Sequence, residues 1–200
     1  MFSTEIIVER LRKSNELDCG GYSHNLKRDA YTVDVLNYVA SEALENGEKA
    51  MDVTMTISGR IVLKRVMGNL IFLNIQDSKG DVQLFISKSN VEEGFKEANK
   101  LSDMGDIVLA TGHPMRTQKG GISLFVTSIK IITKALLPLP DKFAGLNDVE
   151  TKYRKRYLDM IVNPEVRDRF KMRSNIISDI RTFFRNKAYY EVETPMLNAI

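Results

Sequence analysis

The stretch Leu70-Ile71-Phe72-Leu73-Asn74-Ile75-Gln76, followed by Asp77-Ser78-Lys79-Gly80 and Asp81-Val82-Gln83-Leu84-Phe85-Ile86, reads as two strands and the turn that joins them. Each arm alternates with a period of two. Ile71, Leu73 and Ile75 share one face of the first arm, and Val82, Leu84 and Ile86 share one face of the second. The Asp-to-Gly spacing suits a type I turn. A four-residue loop pairs Ile75 with Val82 and Asn74 with Gln83, which keeps both apolar sets on the core side. The outward side then carries Phe72, Asn74, Gln83 and Phe85, with Phe72 diagonally across from Gln83.

Working outward, residues 51–134 supply the rest of a barrel. From Asp52 a long half-buried strand sets Val53, Met55, Ile57, Ile61 and Leu63 on one face, and Thr54, Thr56, Ser58, Arg60 and Lys64 on the other. After the hairpin, Asn90 and Glu93 form a capping box that opens a short helix burying Phe95, Ala98 and Leu101. Two further strands run over about Ile107 to Arg116 and Ile122 to Ile132, joined by a turn at Gly120-Gly121. Three strands, a helix and two strands is the element order of the five-stranded OB-fold β-barrel, whose second and third strands commonly present single-stranded nucleic acid with a binding face.

Residues 1–50 read as a helical extension with two amphipathic helices. Ile6, Ile7 and Leu11 mark the first; Val35, Leu36, Val39, Ala40, Ala43 and Leu44 mark the second, which follows Thr32 and ends at Gly47. No chemistry is expected in this extension. At the other end, Lys134-Ala135-Leu136-Leu137-Pro138-Leu139-Pro140 is a stiff connector, because two prolines block continued sheet pairing, and 135–147 reads as a linker. In 148–200, Asn147 with Glu150 caps a helix through about Ile161, and Asn163-Pro164 starts a long helix with Val166, Phe170, Ile177, Ile180, Phe183 and Phe184 in one stripe. Tyr189 to Thr194 reads as a strand stopped by Pro195. The class is α+β.

Composition narrows the chemistry. The net charge of +3 is uneven: net −3 over residues 1–50, then +3 over 51–135 and +3 over 136–200. This permits an RNA partner without demanding one. A single cysteine, Cys19, and two histidines, His24 and His113, offer no metal set and no disulfide. No apolar run is long enough for a membrane span and the start lacks the pattern of a signal peptide, so the expectation is a cytoplasmic chain with no membrane partner. Gly20-Gly21 and Gly120-Gly121 do not build a nucleotide-binding loop, and neither histidine has a nearby Ser or Cys nucleophile together with an acid placed to orient it. The basic positions of the last helix read as its solvated face, and Glu191 with Glu193 as salt-bridge partners or one wall of a site.

The outward face of the hairpin is therefore the sharpest candidate. Phe72 offers a stacking plane, Gln83 a reader of a base edge, and Arg60, Lys64 and Arg65 phosphate contacts. Pattern alone leaves two uses open for Phe72: a base platform, or a ring covering the barrel or packing on the N-terminal helices.

Ser58-Gly59-Arg60, Gly68 to Asp77, Gly80 to Leu84 and, above all, Thr133-Lys134-Ala135-Leu136-Leu137-Pro138-Leu139-Pro140-Asp141-Lys142-Phe143 closely resemble bacterial lysyl-tRNA synthetase, a class II aminoacyl-tRNA synthetase. Tyr153 to Asp159 and Glu191 to Leu197 extend the resemblance from about residue 52 to the end. It implies an anticodon-binding OB domain followed by the helical start of a class II catalytic domain, in a family that ligates lysine to tRNA(Lys) with ATP and Mg2+ through lysyl-adenylate. It also implies that Phe72 stacks on the central anticodon uridine and Gln83 reads its edge, with Arg60 and Arg65 nearby. The last helix, with Glu193 and Pro195, looks like motif 1 of the family, through which it forms a homodimer. Motifs 2 and 3 do not occur in these 200 residues, so the expectation is binding of the tRNA(Lys) anticodon stem-loop, no cofactor and no catalytic residue within them. Gly121 stands where the family has a glutamate for the third anticodon base, Ala144 replaces a histidine and Ala188 a glycine, and residues 19–24 lack a Pro-Tyr pair. The competing readings are a stand-alone OB-fold module for nucleic acid or protein, and asparaginyl or aspartyl specificity.

Overall fold

The protein is described by a computed structural model that covers residues 4–91, 94–140, 146 and 148–197. The chain divides into two compact units, 1–138 and 139–200.

In the first unit, β1 (Met55–Met67), β2 (Leu70–Gln76), β3 (Asp81–Ser87), β4 (Ile107–Arg116) and β5 (Ile122–Thr133) close a barrel in the order β1-β2-β3-β5-β4. All pairings are antiparallel except β3 with β5. The register of the hairpin is the one the sequence dictates: Ile75 faces Val82, Asn74 faces Gln83 and Phe72 faces Phe85. Asp77 closes the turn by accepting the N–H groups of Lys79 (2.7 Å) and Gly80 (3.0 Å). Ile57, Ile61, Ile71, Leu73, Ile75, Leu84 and Ile86 are fully buried inside, together with Leu124, Val126 and Ile131. Between β3 and β4 a single π-helical turn, Glu97–Leu101, plugs the barrel with Ala98 and Leu101, and Phe95 packs partly buried against the same core. Glu93 of the expected capping box lies outside the described residues.

One strand departs from simple alternation. A bulge at Val62 lets Ile61 face Ile75 but Leu63 face Asn74, so every later residue changes sides. Leu63 turns outward, and Lys64, expected outward, turns to the plugging turn, where its Nζ donates to the carbonyls of Asn99 and Ser102 (both 2.8 Å) and to Ser102 Oγ (2.9 Å).

The N-terminal helices also differ from the pattern. α1 (Thr4–Asn15) leaves Ile6 and Leu11 exposed and buries Arg10 and Ser14. Polar bonds explain the inversion: Arg10 donates to the carbonyls of Ala135 (2.8 Å) and Leu137 (3.2 Å), and Ser14 to that of Gly20. α2 (Thr32–Ser41) sends Val35 into the barrel core and docks on the hairpin turn, with the N–H and hydroxyl of Thr32 both bonded to the Asp77 carboxylate (2.8 and 2.9 Å). It stops six residues before Gly47. Ala43 takes the left-handed conformation (φ 48°), and the N–H groups of Ala43 and Leu44 return to the carbonyls of Ala40 and Val39, a helix closure made without glycine.

The second unit holds α3 (Val149–Arg154), α4 (Arg156–Val162) and α5 (Pro164–Asn186). The single helix expected through Ile161 is broken at Lys155 (φ −119°, ψ 54°). Asp148 caps its first part, accepting the N–H of Thr151 at 2.7 Å; the expected cap Asn147, like Ala144 and Asp141 to Phe143 of the connector, lies outside the described residues. α5 begins at Asn163-Pro164 as read, and none of its residues is buried. No strand forms over Tyr189 to Thr194, because a strand needs a pairing partner and the described residues of this unit supply none. Ala188 adopts the left-handed conformation (φ 64°). Among the described residues no helix is long and apolar enough to cross a membrane.

Candidate nucleic-acid interface

The site is built on the outer face of the hairpin. β2 alternates buried Ile71, Leu73 and Ile75 with half-buried Phe72, Asn74 and Gln76, and β3 does the same with Gln83 and Phe85 outward. Phe72 is therefore outside the barrel wall. Its ring meets that of Phe85 edge-on, with centroids 5.3 Å apart. Phe85 in turn stacks on Phe125 of β5, at 5.8 Å with 24° between planes. The parallel β3–β5 pairing brings this third ring into the row by setting Phe85 beside Phe125 and Gln83 beside Ser123.

Gln83 is oriented by that neighbour. Its Oε1 accepts the Ser123 hydroxyl at 3.0 Å, which fixes the carboxamide plane and commits its oxygen, leaving the amide end as the group that points elsewhere. Asn74, its cross-strand partner, leans on Asp81 (3.4 Å).

Of the basic residues read from the sequence, Arg65 is the one placed beside Phe72. It is exposed and is the cross-strand partner of Phe72 in the β1–β2 ladder, which puts both on one face. Arg60 shares that face but pairs with Gln76, at the turn end of the hairpin, and one of its guanidinium N–H groups is taken by the Gly105 carbonyl at 2.8 Å. Burial lowers its pKa, an effect that Asp106 opposes. Lys64 is withdrawn from the face by the bulge. Its burial pulls the ammonium down to about 8. His113, also outward in the ladder beside Phe125, is occupied through Nδ1 with the Val53 carbonyl at 2.8 Å.

Two contributors escape a reading of the sequence. Phe125 sits in Ser123-Leu124-Phe125-Val126, all buried, where apolar residues on both faces hide the alternation. Lys49 belongs to the N-terminal extension. It reaches the face because residues 47–50 run along the free edge of β4, and its Nζ lies 3.7 Å from the centroid of the Phe125 ring.

Glu193 and Pro195 lie in the second unit, both exposed, and the ion pair there joins Arg181 to Glu191 at 2.9 Å. Among the described residues no group of three or more His, Cys, Asp or Glu side chains is placed to hold a metal ion.

Residues 55–132 match the model of a family described as an OB-fold nucleic acid binding domain of the tRNA anticodon-binding type, and residues 148–200 match that of tRNA synthetases class II (D, K and N). The chain is 42% identical over 204 residues to a lysine–tRNA ligase of Wolinella succinogenes, with all of this chain and 40% of that protein covered. A lysine–tRNA ligase of Helicobacter pylori (strain Shi470) is 40% identical with the same coverage, and one from Carboxydothermus hydrogenoformans is 42% identical over 98% of this chain and 39% of its own length. The chain thus spans about 40% of the length of these curated relatives.

Proposed function

We propose that this chain, which resembles the N-terminal part of lysyl-tRNA synthetases over its whole length, uses the outer face of β2 and β3 to bind the anticodon of tRNA(Lys). The observation that carries the reading is the placement of Phe72 outside the barrel, half-buried, with Gln83 diagonal to it and exposed Arg65 as its cross-strand partner. Phe72 is a plane on which an unpaired base stacks. Gln83, its oxygen held by Ser123, turns its amide donors to a base edge, and a uracil carbonyl suits them. Arg65 takes a backbone phosphate, while Arg60 supports the far end of the face through Gly105.

The rest follows the resemblance. The relatives are named lysine–tRNA ligases; we assign ligation of lysine with ATP and Mg2+, in the cytoplasm, to the whole protein, and to these 200 residues the recognition of its RNA. α5 leaves Ile176, Ile180, Phe183 and Phe184 exposed along its length, an apolar face suited to a second copy of the chain, with Glu193 and Pro195 following it as the motif 1 edge.

The test is binding of a lysine anticodon stem-loop RNA at one fixed salt concentration. Phe72→Ala is expected to weaken it by about 1 to 3 kcal/mol through lost stacking. Arg65→Ala is expected to weaken it with a smaller salt slope, as the loss of one phosphate contact does. Equal affinity of the parent chain and Phe72→Ala refutes the placement of the RNA on this face. Stronger binding of an asparagine or aspartate anticodon stem-loop refutes the choice of tRNA.

A further inference from the structure

We infer that the RNA-binding face continues past the barrel into the N-terminal extension, and that Lys49 holds a backbone phosphate of the bound single strand at the end of the Phe72–Phe85–Phe125 row. The inference rests on the reading of this face as an anticodon site. Three observations on different elements lead to it.

First, the outward rings do not stop at the hairpin. Phe72, Phe85 and Phe125 succeed one another across β2, β3 and β5 with centroid separations of 5.3 and 5.8 Å. The rings thus form one continuous row from β2 through β3 to β5, which carries the face sideways from Phe72 toward the segment that runs along β4. Second, the row is flanked by exposed cations at both ends. Arg65 stands beside Phe72 on the β1 side, and Lys49 stands over Phe125 on the β5 side. A polyanion laid across the rings meets positive charge where it enters and where it leaves.

Third, Lys49 is not a loosely tethered surface lysine. The Gly47 N–H donates to the Arg116 carbonyl (2.9 Å), the Arg116 N–H to the Glu48 carbonyl (3.0 Å) and the Ala50 N–H to the Pro114 carbonyl (2.9 Å). These bonds fix the backbone on either side of Lys49 against the edge of β4. The nearly buried Phe125 ring then holds the ammonium from below, so its open side is available to a phosphate oxygen. Phe125 is in this account a positioning residue. It touches Phe85 and Lys49, and its own exposure is too small for a base.

The experiment uses the full chain and a lysine anticodon stem-loop RNA, with affinity measured across a series of salt concentrations for the parent, Lys49→Ala, Lys49→Arg and Phe72→Ala, each checked for an unchanged thermal transition. Lys49→Ala is expected to bind severalfold more weakly and to reduce the steepness of log K against log salt by about 0.7, the value for one phosphate contact on a single strand. Lys49→Arg is expected to keep both the affinity and the slope. If Lys49→Ala leaves the slope unchanged while Phe72→Ala still weakens binding, the face is an RNA site and Lys49 is only a cation resting on a ring. If Phe72→Ala has no effect either, the anticodon reading itself falls, and the extension falls with it.

Discussion

Replacing Lys134 with methionine probes a fully buried charge in the barrel unit. Its Nζ is shielded from solvent and donates to the Leu101 carbonyl (2.7 Å), to Asp103 (2.5 Å) and to Asp106 (2.7 Å), and the Asp106 side chain is as fully buried as the lysine. Methionine fills much the same space and supplies no donor. Asp106 would keep the N–H groups of Ala135 (2.8 Å) and Asp103 (2.7 Å), two neutral donors in place of an ammonium. Removing one partner of a buried ion pair costs about 3 to 5 kcal/mol, because the remaining charge stays dehydrated. Against a domain stability of about 5 to 15 kcal/mol, that loss is large. Urea unfolding of the parent and of Lys134→Met, followed by circular dichroism, reads it directly. Two internal checks accompany the measurement. Acidification should narrow the gap: burial raises the pKa of Asp103, but the bonds from Lys134 and Lys13 outweigh it and hold it below the usual carboxylate range, so the parent loses this contribution as pH falls through that lower native value, and a variant without Lys134 has less of it to lose. Adding Asp106→Asn should recover part of the loss, since it removes the stranded charge. A loss under about 1 kcal/mol, or no recovery in the double variant, would show that Lys134 does not anchor the fold as described.

Two further outcomes concern pH and the hairpin. Lys64 should titrate near 8, pulled down by burial, in a lysine-resolved NMR titration. Between pH 8 and 10.5 the unfolded chain then holds a proton that the native chain has released, so the stability of the parent relative to Lys64→Met should rise with pH over that window and level off above it. Asp77→Asn should destabilise by about 1.5 to 3 kcal/mol, measured by thermal unfolding, since a charged acceptor serves Thr32, Lys79 and Gly80 at once. Burial raises the pKa of Asp77, but those bonds outweigh it and hold it below the usual carboxylate range. Its contribution is thus present above pH 3.8 and disappears as pH falls through the lower native value, and Asp77→Asn should lose that acid dependence.

The hairpin was legible residue by residue because its information is local. Alternation with a period of two decides which side each residue takes, and a loop of fixed length decides which residues pair, so Ile75–Val82, Asn74–Gln83 and the outward Phe72 need nothing beyond Leu70 to Ile86. The order of elements likewise announced the barrel. Tertiary structure alone decided what depends on distant segments meeting: the bulge at Val62 that took Lys64 off the face, the β3–β5 pairing that added Phe125, and the edge contact that brought Lys49 to it from a region read as inert. The same holds for Lys134, whose place in a proline-rich connector gives no hint of burial. Its charge is tolerated inside because Asp103 and Asp106, some thirty residues earlier, are carried to it by the closing of the barrel. Periodicity reports the environment averaged along a segment, whereas a bulge, a closure or an ion pair is set by which backbone groups still lack a partner once the sheet has formed.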